Sequence, residues 1–446
     1  MTQSATAQTQ ICSLATFIRH RREADEPPYV LVLGAGASLA SGASSTAHIV
    51  DTVVEEHGGQ DPTGLSWDEK LDIFYDVLDS VSAGERYLIL SRHLKGVEPS
   101  PGYRHLATVV KAGYFDLILT TNFDLSLENA LMDAGLRSQD FMVLINGQDQ
   151  EEQIVKALKY STPRIKIVKL HGDLNARIFA FTPQEVFQFT KRIEQTLTDI
   201  LNADIIVVGH SLRDDDLNRC VRANEGALWY VNPAEPSMAD FAGRAIVARG
   251  TPDHIISGKL GRFDDFFAWL RLELLLAEVS LYSEGQSLLE EMRACQRQGE
   301  LSDMAAALSR LAKACVKSSH RALALLCYEC SAASFQEVGD KSNTARALRE
   351  LGTLHANLDH LQKAMRCYRQ SQSLSIEAGD QREEALTLAM IGRWYGAARR
   401  SRKAAQYREK AIAYWKECLP MLQELNLPEA RKVERWLREA EELEVS

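Results

Sequence analysis

Four apolar runs in the first half of this chain each break abruptly into a short polar loop. The loops are Gly34-Ala35-Gly36-Ala37-Ser38, Thr120-Thr121-Asn122-Phe123-Asp124, His171-Gly172-Asp173 and Gly209-His210-Ser211-Leu212. Runs without polar alternation suit strands buried on both faces of a parallel sheet. We read six such strands, at 29–33, 115–119, 141–145, 165–170, 204–208 and 228–231. In an open parallel sheet the ligand crevice lies outside the carboxyl ends of the strands, where these polar loops would sit. The first and second runs are separated by a helix-rich stretch, 47–112, too long for a simple crossover. It reads as a helix plus a small helical insertion, with segments at 67–81 and 85–94, able to cover the crevice.

The second half obeys a different pattern. Ten of the twelve prolines lie at or before Pro252, and the next is Pro420. A long proline-free span is what helix interiors require, because proline lacks the amide hydrogen and clashes with the preceding turn. Within that span Cys327-Tyr328, Gly339-Asp340 and Leu351-Gly352 recur 40 residues later as Cys367-Tyr368, Gly379-Asp380 and Ile391-Gly392. Ala404, Tyr407, Ala411 and Trp415 continue the pattern in a degraded third copy. The paired helices, the Gly-Asp turn and the small residues at close-packing positions resemble the longer class of tetratricopeptide repeats, over residues 302–425. Such repeats stack into a solenoid whose concave face binds a partner. The expected architecture is therefore an α/β domain, residues 1–280, with a Rossmann-like parallel sheet and a helical insertion, followed by an all-α helical-repeat domain, residues 281–446.

Charge divides the chain at the same place. Residues 1–280 carry 26 basic and 38 acidic side chains, and residues 281–446 carry 25 and 23. A net charge of −10 argues against nucleic acid as the main ligand, since phosphate backbones need a basic footprint. A basic cluster, Arg393, Arg399, Arg400, Arg402, Lys403 and Arg408, reads as a solvated helix face or, alternatively, as a contact for the acidic first domain. The eight cysteines form no repeated pair able to close a four-ligand zinc site, and Cys327 and Cys330 read as packed thiols of a helix. The first ten residues have neither a basic nor an apolar segment of a leader, and no apolar stretch is of membrane-spanning length, so a cytoplasmic location away from membranes is expected.

Gly34 and Gly36 allow a backbone to approach a pyrophosphate closely, with Ser38 and Ser41 as added hydroxyl donors ahead of a helix expected to begin near Thr46. A dehydrogenase would place an acidic residue at the end of a second strand about 20 residues on. Asp51 falls inside a helical pattern instead, which disfavours hydride transfer. Asn122 and Asp124 have the chemistry to hold ribose hydroxyls or to cap the helix expected at 126–132. His171 titrates in a range useful for proton transfer. Three successive carboxylates, Asp214, Asp215 and Asp216, read as a helix cap and first turn, and no metal is expected.

Together the four loops resemble the nicotinamide-dinucleotide site of the sirtuin-like family, over residues 29–269. The resemblance implies that Asn122, Asp124 and His171 are catalytic. It implies that Gly34, Ala35, Gly36, Ser38, Thr120, Thr121, Gly209, His210, Ser211 and Asn232 bind the dinucleotide, with Asn232 on the adenosine ribose. The chain departs from the protein deacylases, having no cysteine between residues 173 and 204 and no Phe-Arg in Ala43-Ser44-Ser45-Thr46-Ala47. It looks more like bacterial sirtuin-like effectors that hydrolyse NAD+ in antiviral defence, with the repeats sensing a protein partner or trigger and supporting homo-oligomers. An NAD+-dependent deacylase or ADP-ribosyltransferase, and a non-catalytic sensor of NAD+ or ADP-ribose, are the alternatives. Arg249 is a candidate for reading the extra phosphate of NADP+.

Overall fold

The computed structural model describes residues 3–94, 96–159, 162–179, 191–222, 225–278, 283–298, 300–397 and 404–445. The chain separates into two units, Met1–Leu274 and Leu275–Ser446. Arg399, Arg400, Arg402 and Lys403 of the basic cluster lie outside the described residues.

In the first unit the strands are β1 (Val30–Leu33), β2 (Leu117–Thr120), β3 (Phe141–Ile145), β4 (Ile165–Lys169), β5 (Gly172–Asp173), β6 (Ile178–Phe179), β7 (Ile205–Val208), β8 (Leu228–Val231) and β9 (Ile255–Ile256). Seven of them form one sheet in the order β3-β4-β2-β1-β7-β8-β9, and every pairing is parallel. All six strands expected from the apolar runs are present, within two residues at each end. The reason is burial: every residue of β1, β7 and β8 is buried, so no polar face interrupts the pattern. β5, β6 and β9 are two residues long and too short to leave a pattern. β5 and β6 form a separate antiparallel ribbon just beyond β4.

Chain order gives the sheet its functional geometry. β1 is central, with β2 and β4 to one side and β7 and β8 to the other. The strand order therefore reverses at β1, and a crevice opens at such a switch point.

The stretch between β1 and β2 forms the helices Thr46–Glu56, Trp67–Ser80, Ala83–Ser91 and Pro101–Lys111. Capping boxes begin two of them, Ser66 with Glu69 and Ser82 with Glu85. Val50, Val53, Phe74, Leu78 and Leu90 of this insertion share a core with Leu174, and Phe123 packs against it. The insertion thus lies beside the loops after β2 and β4. A first helix, Gln3–Glu23, goes beyond what the small, polar start of the chain suggests. Ile11, Leu14, Ala15 and Ile18 recur at helical spacing and are buried.

In the second unit, helices Leu301–Lys317, Lys341–Asn357 and Gln381–Ala397 begin at intervals of 40 residues, each followed by a partner helix: Arg321–Glu337, Leu361–Ala378 and Ala404–Glu424. A hydrogen bond spanning 26 residues ties each pair: Ser331 Oγ to the Ala305 carbonyl at 2.7 Å, Ser371 Oγ to that of Ala345 at 2.8 Å, and Trp415 Nε1 to that of Ala389 at 3.3 Å. The Gly-Asp turn has a local cause. Gly379 ends its helix with φ +66°, in the left-handed region, and Asp340 accepts from the Asn343 amide to cap the next helix in its own copy. Ser283–Gln298 precedes the pairs and Glu429–Val445 follows them. Cys327 and Cys330 are buried within Arg321–Glu337, and none of the eight cysteines is in a disulfide. Among the described residues no helix is long and apolar enough to cross a membrane.

Candidate functional site

The expected site residues lie at the carboxyl ends of five neighbouring strands. His171 follows β4; Thr120 ends β2, with Thr121, Asn122 and Asp124 after it; residues 34–38 follow β1; Gly209, His210 and Ser211 follow β7; Asn232 follows β8. Backbone hydrogen bonds lace these ends together: Leu170 N to Thr120 O at 2.8 Å, Thr121 N to Leu33 O at 3.2 Å, Gly34 N to Val208 O at 3.0 Å and Gly36 N to Gly209 O at 2.9 Å.

The glycines of the first loop are explained by its neighbour. A Cβ on Gly34 would lie 2.6 Å from both Gly209 O and His210 Cα, and one on Gly36 would lie 2.8 Å from Gly209 Cα. Side chains there would push apart the loops after β1 and β7. Nor does the chain wait until Thr46 to become helical: a single turn, Gly36–Leu39, directly follows Ala35.

Asn122 is buried and its orientation is set by two acceptors. Its Nδ2 donates to the Gly34 carbonyl at 3.0 Å and to the Tyr103 hydroxyl at 3.4 Å, and its own amide donates to Thr120 Oγ1 at 3.0 Å. A carbonyl can only accept, so this arrangement identifies which end of the side chain is nitrogen. The Asn122 Oδ1 has no hydrogen-bond partner among the described residues and is the group left to meet a ligand. Asp124, also buried, accepts from the Ser38 hydroxyl and, at 2.8 Å, from the Ser126 amide. Ser38 therefore spends its hydroxyl on Asp124, and Ser41 accepts from the Ser100 amide at 3.0 Å. Tyr103, wholly buried beneath this cluster, has its phenol pushed well above 10 by burial and by the Asp124 charge.

His171 makes the longest reach. Its Nε2 lies 2.5 Å from Asp214 Oδ2, on the loop after β7. β4 and β7 are three places apart in the sheet, about 14 Å at the usual strand spacing, so this bond passes over the ends of β2 and β1. Burial raises the Asp214 carboxyl, but the hydrogen bond and charge of His171 and the Leu217 amide outweigh it and hold the carboxyl below its ordinary range. Asp214, as a carboxylate, can accept the proton on His171 Nε2, which fixes the ring and leaves Nδ1 as the nitrogen turned away from Asp214. His210 is neutral: burial lowers it to about 4, and its Nδ1 accepts from the Leu212 amide at 2.8 Å.

A buried ionic group supports the site from below. Lys169, at the end of β4 and 1% exposed, donates to the Asp124 carbonyl at 2.7 Å, pairs with Glu128 at 2.8 Å and also pairs with Asp173. Burial works against its charge, yet the two carboxylates keep its ammonium above the ordinary lysine range. Lys169, Glu128 and Tyr103 left no signal in the sequence, because each sits in an otherwise ordinary strand or helix pattern.

Other expectations are resolved by position. Asn232 Oδ1 accepts from the Ala234 amide at 3.2 Å and so shapes its own turn. Arg249 is not near the strand ends that hold the site. Its guanidinium is buried on the carbonyls of Leu201, Ala203, Val221 and Gly226, beside the starts of β7 and β8 at the opposite end of the strands, and burial lowers it to about 10. It ties backbone together and is not placed to read a dinucleotide phosphate. Asp51 lies within Thr46–Glu56 and pairs with Lys70 at 2.9 Å. Asp214 caps Asp215–Arg222 through the Leu217 amide at 3.2 Å, while Asp216 pairs with Arg219. Among the described residues no group of three or more His, Cys, Asp or Glu side chains is placed to hold a metal.

Residues 116–228 match the family model described as a SIR2-like domain. That segment holds Asn122, Asp124, His171, Asp214 and the loop after β7. A solved structure, from work on the structural basis for the mechanism and regulation of Sir2 enzymes, is similar at 17% identity, covering 60% of this chain and 99% of its own, with a TM-score of 0.30. A search of curated proteins finds none that matches the sequence. Residues 116–228, within the first unit, are thus similar to a SIR2-like domain.

Proposed function

We propose that the first unit is an NAD+ glycohydrolase, which breaks the bond between nicotinamide and ribose and releases nicotinamide and ADP-ribose. The observation that carries this reading is the pairing, at one switch point, of an Asn122 whose free atom is an acceptor with a His171 held in one tautomer by Asp214. The SIR2-like match over the same residues supports a nicotinamide dinucleotide as the substrate class.

The reaction asks little of the protein beyond placement and charge. Nicotinamide leaves as a neutral ring, taking the electrons of the C1′–N bond, and an oxocarbenium-like centre develops on the ribose. Asn122 Oδ1 accepts from a ribose hydroxyl or from the attacking water and fixes its line of approach. His171 Nδ1 takes a proton from that water as its oxygen bonds to C1′, and the Asp214 carboxylate steadies the imidazolium that results. The loops after β1 and β7 cradle the phosphates, with Gly209 and Ser211 on one side and Ala35 on the other. In this reading the 40-residue helical repeats, tetratricopeptide-like in pattern, receive a protein trigger or a second copy of the chain and control the first unit, as in an effector of bacterial antiviral defence. The test is conversion of NAD+ by the full chain without any acylated peptide, followed by separation of nicotinamide and ADP-ribose, alongside Asn122→Ala.

A further inference from the structure

The second unit contains a groove whose charge is not balanced by its own residues. It has a volume of about 400 Å³ and, among the described residues, is lined by six cations from four helices: Lys313, Arg346, Arg349, Arg382, Arg393 and Lys432. Three carboxylates face them, Glu350, Glu383 and Glu429, which leaves a surplus of three positive charges. The carboxylates are already committed unevenly. Arg349, largely buried, takes Glu383 and, at 3.1 Å, Glu350, while Arg346 stands 3.8 Å from Glu383. Among the described residues Lys313, Arg382 and Lys432 have no carboxylate within ion-pair distance, and all three side chains are exposed. The Arg393 guanidinium sits over the Trp436 ring, 5.7 Å from its centre.

We propose that this groove binds a small ligand carrying clustered phosphate groups, of nucleotide size. A cleft lined by one sign of charge concentrates counter-ions. Its volume falls in the range of about 300–1,000 Å³ typical of small-molecule sites. Four of the six cations are arginines, whose planar forks suit phosphate oxygens better than a point charge does. Arg349 is preorganised by its two glutamates, so it loses little freedom when a ligand arrives. Trp436, with Leu386 and Met390, supplies apolar surface for a flat ring next to the charges. An acidic peptide spreads its charges along an extended backbone, whereas phosphoryl groups concentrate several within the space this groove encloses. The site belongs to the second unit alone and does not depend on the chemistry proposed for the first.

The test is calorimetric titration of the full-length protein with tripolyphosphate, ATP and oligoglutamate, comparing wild type with Arg382→Ala/Lys432→Ala and with Lys313→Ala. These side chains are exposed, and unchanged melting will show that the variants are folded. Removing two charge-assisted partners is expected to weaken tripolyphosphate and ATP roughly tenfold or more, with a smaller loss for Lys313→Ala. Comparing variants isolates the groove from any nucleotide bound by the first unit. The proposal is overturned if wild type shows no saturable binding of tripolyphosphate or ATP, if the variants bind both as wild type does, or if oligoglutamate is the tighter ligand and the one the variants lose.

Discussion

Replacing Lys169 by methionine is the sharpest test of how the site is held. The substitution keeps the length of the side chain and removes its charge, leaving Glu128 and Asp173, with side chains 9% and 4% exposed, without their cation. It also removes the 2.7 Å hydrogen bond to the Asp124 carbonyl, on the loop next to Asn122. Breaking a buried ion pair from one side typically costs about 3–5 kcal/mol. For a unit of this size that corresponds to a fall of roughly 6–15 °C in its melting temperature. Differential scanning calorimetry of the full chain can follow the transition that the substitution moves. The pH dependence is diagnostic. In the variant the buried Glu128 lacks a cation, so its folded pKa rises above the unfolded one, and stability is gained as pH falls through that window. Glu128 is already raised by burial with Lys169 present, and removing the cation pushes it further. The deficit should therefore shrink between neutral and mildly acidic pH. A Lys169→Met protein that melts with wild type, or whose deficit is the same at every pH, would refute the view that this cluster is a charged keystone.

Other substitutions separate chemistry from support. Asn122→Ala should reduce NAD+ cleavage by about a hundredfold or more while costing about 1 kcal/mol of stability for the lost bond to Gly34, read by product analysis and by melting. Asp214→Asn can still cap its helix but no longer presents a carboxylate to His171; turnover should fall about 10²- to 10⁴-fold with little change in KM, and wild-type turnover would sink the orienting role. His210 is buried and lowered to about 4, below its unfolded value, so the stability it confers is present above about pH 6.5 and is lost as pH falls toward 4. That loss amounts to about 3 kcal/mol, and His210→Asn, which keeps an acceptor for the Leu212 amide, should remove it from the pH–stability curve.

The strands were legible because they are buried on both faces, and the repeat was legible because its Gly-Asp turn and its close-packed glycines recur at a fixed spacing. A Cβ on Gly352 would lie 2.7 Å from the Tyr368 ring, and one on Gly392 would lie 2.5 Å from Trp415. The positions of Asn122, His171 and Gly209 at strand ends followed from the same runs. What sequence could not supply was pairing across the sheet. Asp214 looked like one of three capping carboxylates, and only the strand order brings it to His171, 43 residues away. Gly34 and Gly36 were read as room for a pyrophosphate, while their nearest neighbours are Gly209 and His210. Arg249 followed a helix whose end lies by the amino ends of the strands, a fact fixed by the crossover and invisible in its neighbours. Lys169 stands near the end of an apolar run, and its burial depends on Glu128, from the helix Ser126–Asp133, together with Asp173 four residues on.

In the proposed reaction the crevice at β1 hydrolyses NAD+, and Asn122 and His171 carry the chemistry. Its most direct test incubates the full chain, Asn122→Ala and His171→Ala with NAD+ in the absence of any acylated peptide and separates the products. Nicotinamide and ADP-ribose are expected from the wild type and neither from the two variants. Turnover that requires an acylated peptide, tight binding of NAD+ without any product, or equal rates in all three proteins would contradict it.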